Sequence, residues 1–368
     1  MMMPSAHPTT ETLDAGSELS EDPRMVGVEE HAWTAELRDA LIKDGTDDTV
    51  RMIANGWPEA DEQLRDVGDR RLQRMDASGI DLQVLSISAP GTQPLKPSEA
   101  IPLARDANDF LAGAVSAHPD RYAAFATLPT SDPEAAVQEF ERCVSTLGMV
   151  GAMLFPRTGD RYLDHETFRG IFEVAEKLEV PVYVHPQFPP QAVRDIHFSG
   201  LGDKVDMLLA SGGWGWHAEV GIAALRLILA RTFDRHPNLQ VMLGHWGEML
   251  VPFVERANVL STPAGLDRSV AECITENVLV TAGGIYSHRM LLDAISTVGV
   301  DRVLFASDDP FGGEPQIPAT RTFLRTAPLS AEAKTKIARG NAERHVLKTV
   351  GLKPADPRLH TQQTPKDD

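Results

Sequence analysis

Apolar positions along the chain fall into short runs separated by longer stretches with helical spacing. The runs are Met25–Val28, Leu82–Ile87, Tyr122–Leu128, Gly151–Phe155, Pro181–Val184, Gln240–Leu243, Val278–Thr281 and Arg302–Ala306. Runs of this length suit strands buried on both faces. Between them, Arg105–Ala117 carries Ala107, Phe110, Leu111 and Val115 at three- and four-residue steps, the spacing of one helix face. Asp132 precedes Pro133-Glu134-Ala135-Ala136, an N-cap followed by proline at the first helical position. Leu225–Phe233 and Leu291–Val298 also read as helices. Eight buried strands with crossover helices predict an α/β protein, a (β/α)8 TIM barrel. A doubly wound open sheet would look similar strand by strand; the strand count and the placement of polar residues favour the barrel.

One barrel domain over residues 25–350 is expected, between polar, proline-containing tails at 1–24 and 351–368 that need no fixed structure. Two connections are too long for simple turns: 32 to about 69 after the first strand, and 186 to about 217 after the fifth. Long ordered loops of this kind usually serve as lids or interface elements. The second ends in Gly212-Gly213-Trp214-Gly215-Trp216-His217, which reads as a flexible aromatic flap or a subunit contact.

Composition narrows the function classes. The 368 residues include 35 Lys+Arg against 53 Asp+Glu, a formal net charge of −18. That balance argues against nucleic acid or an anionic membrane as a partner. Cys143 and Cys273 stand alone, so neither a disulfide framework nor a zinc knuckle is expected. No stretch approaches the continuous apolar length of a membrane span, and the N-terminal residues lack a signal-peptide pattern. The expected setting is the cytoplasm.

Candidate chemistry gathers at strand ends. Glu29-Glu30-His31 closes the first strand, His185 the fifth, Gly244-His245-Trp246-Gly247-Glu248 follows the sixth, and Ser307-Asp308-Asp309-Pro310-Phe311 follows the eighth. All lie on the carboxyl-terminal face, where barrel enzymes place reactive groups. Alternate strand residues share a side, so Glu29 and His31 point together while Glu30 points elsewhere. Carboxylates and imidazoles converging there make a mixed N/O site suited to Zn²⁺ or Mn²⁺. Singly, each has a plain structural reading: Asp308 as a helix N-cap before Pro310, Glu248 as a first-turn acid, Arg256 as a solvated helix residue. His288, opening the helix after strand 7, faces the same end of the barrel and is a candidate for touching substrate.

The chain resembles the amidohydrolase superfamily, in its branch with γ-resorcylate, 2,3-dihydroxybenzoate and aminocarboxymuconate semialdehyde decarboxylases. The matching stretches are Val26-Gly27-Val28-Glu29-Glu30-His31, Asp120-Arg121-Tyr122-Ala123-Ala124-Phe125-Ala126, Val182-Tyr183-Val184-His185-Pro186, Leu243-Gly244-His245-Trp246-Gly247-Glu248 and Val303-Leu304-Phe305-Ala306-Ser307-Asp308. The likeness runs from about residue 25 to 348, with the motifs in family order. It implies Glu29, His31, His185 and Asp308 as ligands to one divalent ion, Zn²⁺ or Mn²⁺. It also implies His245 and Glu248 as a catalytic pair beside that ion, Arg256 near the substrate, and a homodimer or homotetramer. No lysine ends strand 4, which reads Met153-Leu154-Phe155-Pro156, so one ion is expected rather than a lysine-bridged pair. The chain departs from the family pattern at Ala32 and Asp309, where relatives carry aromatics, and at Gly312-Gly313, where they tend to carry Glu. With Asp309 and Phe311 on the substrate side, the expected wall is acidic and roomy.

The leading expectation is a non-oxidative decarboxylase acting on a hydroxylated aromatic or related unsaturated carboxylic acid, with Asp308 delivering a proton to the ring. The alternative is a metal-dependent hydrolase of an amide, lactone or ester, which the same ligands would permit. A barrel that only binds a ligand would be expected to lack a ligand residue, and none is missing.

Overall fold

A computed structural model describes residues 24–348; the tails expected at either end lie outside the described residues, apart from residue 24. The strands in chain order are β1 (Met25–Ala32), β2 (Ile80–Ile87), β3 (Tyr122–Ala124), β4 (Ala126–Thr127), β5 (Ala152–Leu154), β6 (Arg157–Thr158), β7 (Arg161–Tyr162), β8 (Val182–Val184), β9 (Val241–Leu243), β10 (Val278–Thr281) and β11 (Val303–Leu304). Strands β6 and β7 form a small antiparallel hairpin; every other pairing is parallel. The order is β1-β2-β3 in one sheet and β11-β10-β9-β8-β5-β4 in the other. Two seams join them. Phe125, between β3 and β4, donates its N–H to Leu85 O, and Ala126 donates to Gly151 O. At the other seam, Val28 donates to Phe305 O, His31 to Asp309 O, and Asp308 to Glu29 O. With β3 and β4 as one interrupted strand, the result is a closed ring of eight parallel strands, and each predicted apolar run supplies one of them.

The ring's interior is filled by Val26, Val28, Leu82, Val84, Phe125, Met153, Tyr183, Met242, Leu279 and Leu304. A larger apolar layer lies between the ring and its helices. Asp132 caps helix Pro133–Ser145 as expected, its Oδ1 accepting from Ala135 N at 3.0 Å. The helix expected over 225–233 is instead two: Gly215–Leu229 and Thr232–Arg235, broken where Arg231 takes a φ of 62°.

Both long connections are helical rather than open loops. The first holds helices Ala35–Asp44, Thr49–Gly56 and Pro58–Leu64 before the crossover helix Asp69–Ser78. Thr34 caps the first of these and Gly45, with a φ of 69°, ends it. Its stability comes from burial of Leu37, Leu41, Val50, Ile53 and Leu64, since segments this short do not hold as helices in isolation. The second connection carries Gln191–His197 and Asp203–Ala210, which bury almost nothing of their own. An ion pair, Arg194 Nη1 to Asp48 Oδ2 at 2.9 Å, ties the two connections together. The Gly212–His217 segment is the turn into helix Gly215–Leu229, not a free flap: Gly213 and Gly215 lie so close to the main chain of the preceding helix that a Cβ would collide.

Candidate active site

Strand geometry delivers the acidic and imidazole groups. Val26 and Val28 face the ring's interior, and simple alternation would send Glu30 there next. A bulge prevents this: Gly27 pairs with Gln83 and Glu30 with Leu85, so three steps on β1 face two on β2. Such an extra residue re-aims the side chains that follow. Glu29 therefore meets interior Tyr183, and Glu30 turns into the wall. Gly27 is required there, because a Cβ would overlap the Glu30 carboxylate. Gly244 leaves room in the same way: a Cβ would lie 2.8 Å from Tyr183 Oη and 2.9 Å from Glu29 Oε2.

Ligand atoms of Glu29, His31, His185 and Asp308 all lie within 4.8 Å of one another. His31 Nε2 is 3.1 Å from Asp308 Oδ1, and His185 Nε2 is 3.5 Å from Glu29 Oε1. Three of the inward atoms, Glu29 Oε1, His31 Nε2 and Asp308 Oδ1, are buried without a hydrogen-bond partner. Buried polar atoms are rarely left unpaired, and here they converge on one point. The outer atoms of Glu29, His31 and His185 are occupied. Glu29 Oε2 accepts from Tyr183 Oη and from Thr281 Oγ1. His31 Nδ1 faces Ser86 Oγ at 3.3 Å, and His185 Nδ1–H donates to Pro186 O at 3.0 Å. This is the outer support that fixes metal-binding imidazoles in the Nε2-ligand tautomer. Burial and the neighbouring His31 hold the His185 pKa well below its ordinary range, against the pull of Asp308, so its nitrogen lone pair is free. The donor set fits a divalent cation of mixed N/O preference.

Beside the cluster, the chain from His245 to Met249 makes a left-handed turn: φ is 46°, 62°, 85°, 54° and 63° in succession. Non-glycine residues pay roughly 1–2 kcal/mol each for that conformation, so the surroundings must hold it. Trp246 does so twice, donating its main-chain N–H to Thr281 O at 2.9 Å and its ring Nε1–H to Ile285 O at 2.7 Å. Glu248, fully buried, accepts from His245 Nδ1 at 2.6 Å and from His217 Nδ1 at 2.8 Å. Burial raises the Glu248 carboxyl, but the two imidazoles outweigh it and bring the pKa to about 2. For His245, burial opposes the charge, yet Glu248 and Glu29 carry it well above the ordinary histidine range. His245 Nε2 lies 3.9 Å from Asp308 Oδ2. Burial would raise Asp308, but His245 and His31 bring it below the usual carboxylate range.

The other expected residues are placed differently. Asp308 is no N-cap, since the following helix starts at Gly313 and Asp308 itself has a φ of 57°. Glu248 sits in the left-handed turn and not in the first turn of a helix. Asp309 makes no free acidic wall: its Oδ2 is 3.3 Å from Arg71 Nη2 and 3.4 Å from Arg74 Nη2. Two cations neutralise the charge that the sequence led us to expect in the pocket. Phe311 does reach the cluster, its ring centroid 5.5 Å from that of His31. His288 is engaged in an aromatic stack: its ring lies on Phe323 and its Nε2–H donates to Phe323 O at 2.9 Å. Arg256 lies exposed on the short helix Val254–Ala257, with no hydrogen bond or ion pair to the cluster in this chain.

Sequence reasoning missed four supporting residues. Tyr183 and Thr281 read as ordinary strand residues. His217 read as part of the glycine-tryptophan turn. Arg71, with no exposed side-chain surface, donates to His31 O at 2.6 Å and to Gln83 Oε1 at 2.6 Å. Glu30 accepts from Ser307 N at 2.9 Å and Ser307 Oγ at 2.5 Å. Burial and the Asp309 carboxylate push its pKa up to about 8.

A closed parallel barrel whose strand ends gather two carboxylates and two imidazoles defines a metal-dependent barrel enzyme. Residues 14–346 match the amidohydrolase family. Over 302 residues the chain is 37% identical to the γ-resorcylate decarboxylase of Rhizobium radiobacter, covering 78% of this chain and 89% of that protein. The 5-carboxyvanillate decarboxylase of Novosphingobium aromaticivorans, solved with manganese and 4-hydroxy-3-methoxy-5-nitrobenzoic acid, superposes with a TM-score of 0.81. It is 30% identical, and the match covers 91% of this chain and 99% of that one. The dihydroxybenzoic acid decarboxylase of Polaromonas sp. JS666, solved with manganese and 2-nitroresorcinol, gives a TM-score of 0.75 at 32% identity, covering 88% and 96% of the two chains. The chain belongs to the amidohydrolase family, in its branch of non-oxidative decarboxylases.

Proposed function

We propose that this chain removes CO₂ from a hydroxylated aromatic carboxylic acid, with one divalent ion, Mn²⁺ or Zn²⁺, held by Glu29, His31, His185 and Asp308. The observation that carries the reading is the set of buried, inward-facing atoms on Glu29, His31 and Asp308 that make no hydrogen bond. A cation held there supplies an anchor for a carboxylate with its neighbouring hydroxyl and stabilises negative charge. Asp308, a carboxylate in the free protein, takes the substrate's hydroxyl proton on docking and passes it to the ring carbon bearing the carboxylate. The bond from that carbon to the carboxylate then breaks, its electron pair returns to the ring, and CO₂ leaves. The product's phenolate regains a proton from water. Positively charged His245 stands beside Asp308 and offsets negative charge during these transfers; Glu248 orients its ring. Phe311 supplies an apolar edge for an aromatic ring.

Hydrolysis loses the support that an acidic wall would have lent it, because Asp309 is paired with Arg71 and Arg74. The deciding experiment supplies hydroxybenzoates, 2,6-dihydroxybenzoate first, to metal-loaded protein in H₂¹⁸O. The expected result is CO₂ release and a phenolic product carrying no solvent oxygen. Incorporation of ¹⁸O into the product's carbon skeleton would mean hydrolysis.

We also propose a homodimer or homotetramer. The helical segment after β8 leaves Ile196 78%, Leu201 64%, Val205 50% and Trp214 52% exposed, and apolar side chains grouped at a surface suit a subunit contact. Sedimentation at micromolar protein is expected to give a species of at least twice the chain mass; a monomer there would contradict it. Among the described residues no helix is long and apolar enough to cross a membrane.

A further inference from the structure

Helix Gly215–Leu229 meets the left-handed turn at two points on one face. His217 Nδ1 is 2.8 Å from Glu248 Oε2. Four residues later, Gly221 lies so close to the Glu248 main-chain carbonyl that a Cβ would collide with it. Residues four apart share a helix face, so one helix grips both the side chain and the backbone of the same glutamate. His217 is itself anchored: its Nε2–H donates to Gly212 O at 3.0 Å while its Nδ1–H donates to Glu248 Oε2, so both ring nitrogens are committed. The rings of His217 and His245 stand 4.6 Å apart between centroids, on the two oxygens of one carboxylate.

We propose that His217 is a positioning residue for the decarboxylation, acting through Glu248 on His245. A carboxylate tethered at Oε1 alone could swing about its own bonds. Tethered at both oxygens, it holds the His245 ring with Nε2 turned toward Asp308. The inference rests on the proposed role of His245. It assigns to His217 no contact with substrate or metal.

The two nitrogens of His217 can be tested separately. Asparagine places its amide nitrogen near the position of histidine Nδ1, and glutamine near that of Nε2. His217→Asn keeps the Glu248 bond and loses the one to Gly212; His217→Gln does the reverse. With the hydroxybenzoate that the wild-type protein decarboxylates fastest, His217→Ala and His217→Gln are expected to lower kcat by about tenfold or more. KM and bound metal per chain should stay unchanged, and His217→Asn should recover most of the loss. If glutamine rescues and asparagine does not, His217 serves only the turn at Gly212 and the proposal falls. Equal losses in both, or full turnover in the alanine variant, overturn it as well. His245→Ala is the control. If that variant keeps full turnover, the role given to His245 fails and the positioning proposal fails with it. If it is inactive while His217→Ala is not, only the present inference fails.

Discussion

Asp308→Asn is expected to keep its metal and lose its reaction. The amide retains an oxygen in place of Oδ1, 3.1 Å from His31 Nε2, so the variant still offers four donors and should bind close to one divalent ion per chain. It has no acidic proton to give to carbon. Loss of a positioned general acid typically costs about 10²–10⁴-fold in rate, and turnover should fall by at least that much. His185→Ala makes the contrast, because it removes a neutral nitrogen donor and with it the ion. Elemental analysis beside CO₂ release separates the two. A metal-loaded Asp308→Asn protein with full turnover would show that the proton comes from elsewhere. A metal-free Asp308→Asn protein would show that the carboxylate's charge, and not only its oxygen, is needed to hold the cation.

The parts of this site legible in the sequence are those whose chemistry is local. Glu29-x-His31, His185 and Asp308 could be found because a strand end fixes where a residue points within a residue or two. The eight apolar runs could be found because burial on both faces leaves a continuous hydrophobic signal. What could not be read depends on contacts between distant segments. Arg71 lies in Asp69-Arg70-Arg71-Leu72-Gln73-Arg74, which looks like a solvated helix face, and only the packing of that helix against β1 and β2 buries it. The bulge that turns Glu29 inward leaves no mark beyond Gly27, and one glycine in a strand has several uses. Asp309 looked like an acid in the pocket because its two arginine partners are more than 200 residues away in sequence. His288 opens a helix at the expected end of the barrel, but its stack on Phe323 and its bond to the Phe323 carbonyl are contacts that no spacing reveals. Trp246 to Met249 gave no sign of a left-handed turn, since residues with side chains seldom adopt one.

Arg71 carries the second large expected effect. Its guanidinium is wholly buried, and its three nitrogens face three different acceptors: His31 O, Gln83 Oε1 and the Asp309 carboxylate. Arginine suits this because its planar fork directs several donors at once, whereas lysine offers a point charge. Arg71→Met would fill most of the volume but leave the carbonyl of a metal-cluster residue and a buried amide oxygen unpaired. Removing one partner of a buried charge pair typically costs about 3–5 kcal/mol. Asp309 keeps Arg74 at 3.4 Å and is partly exposed, so the expected loss is at the lower end, about 3 kcal/mol, measured by urea unfolding. Because Arg71 grips the main chain of His31, the loss should extend to the ion: metal affinity should fall about 10–100-fold, measured by competition with a chelator. Arg71→Lys should fail nearly as badly, since one ammonium cannot reach all three acceptors. A lysine variant with wild-type stability and wild-type metal affinity would reduce Arg71 to a counter-charge for Asp309. Lower stability with unchanged metal affinity would mean that the strand holds His31 without it.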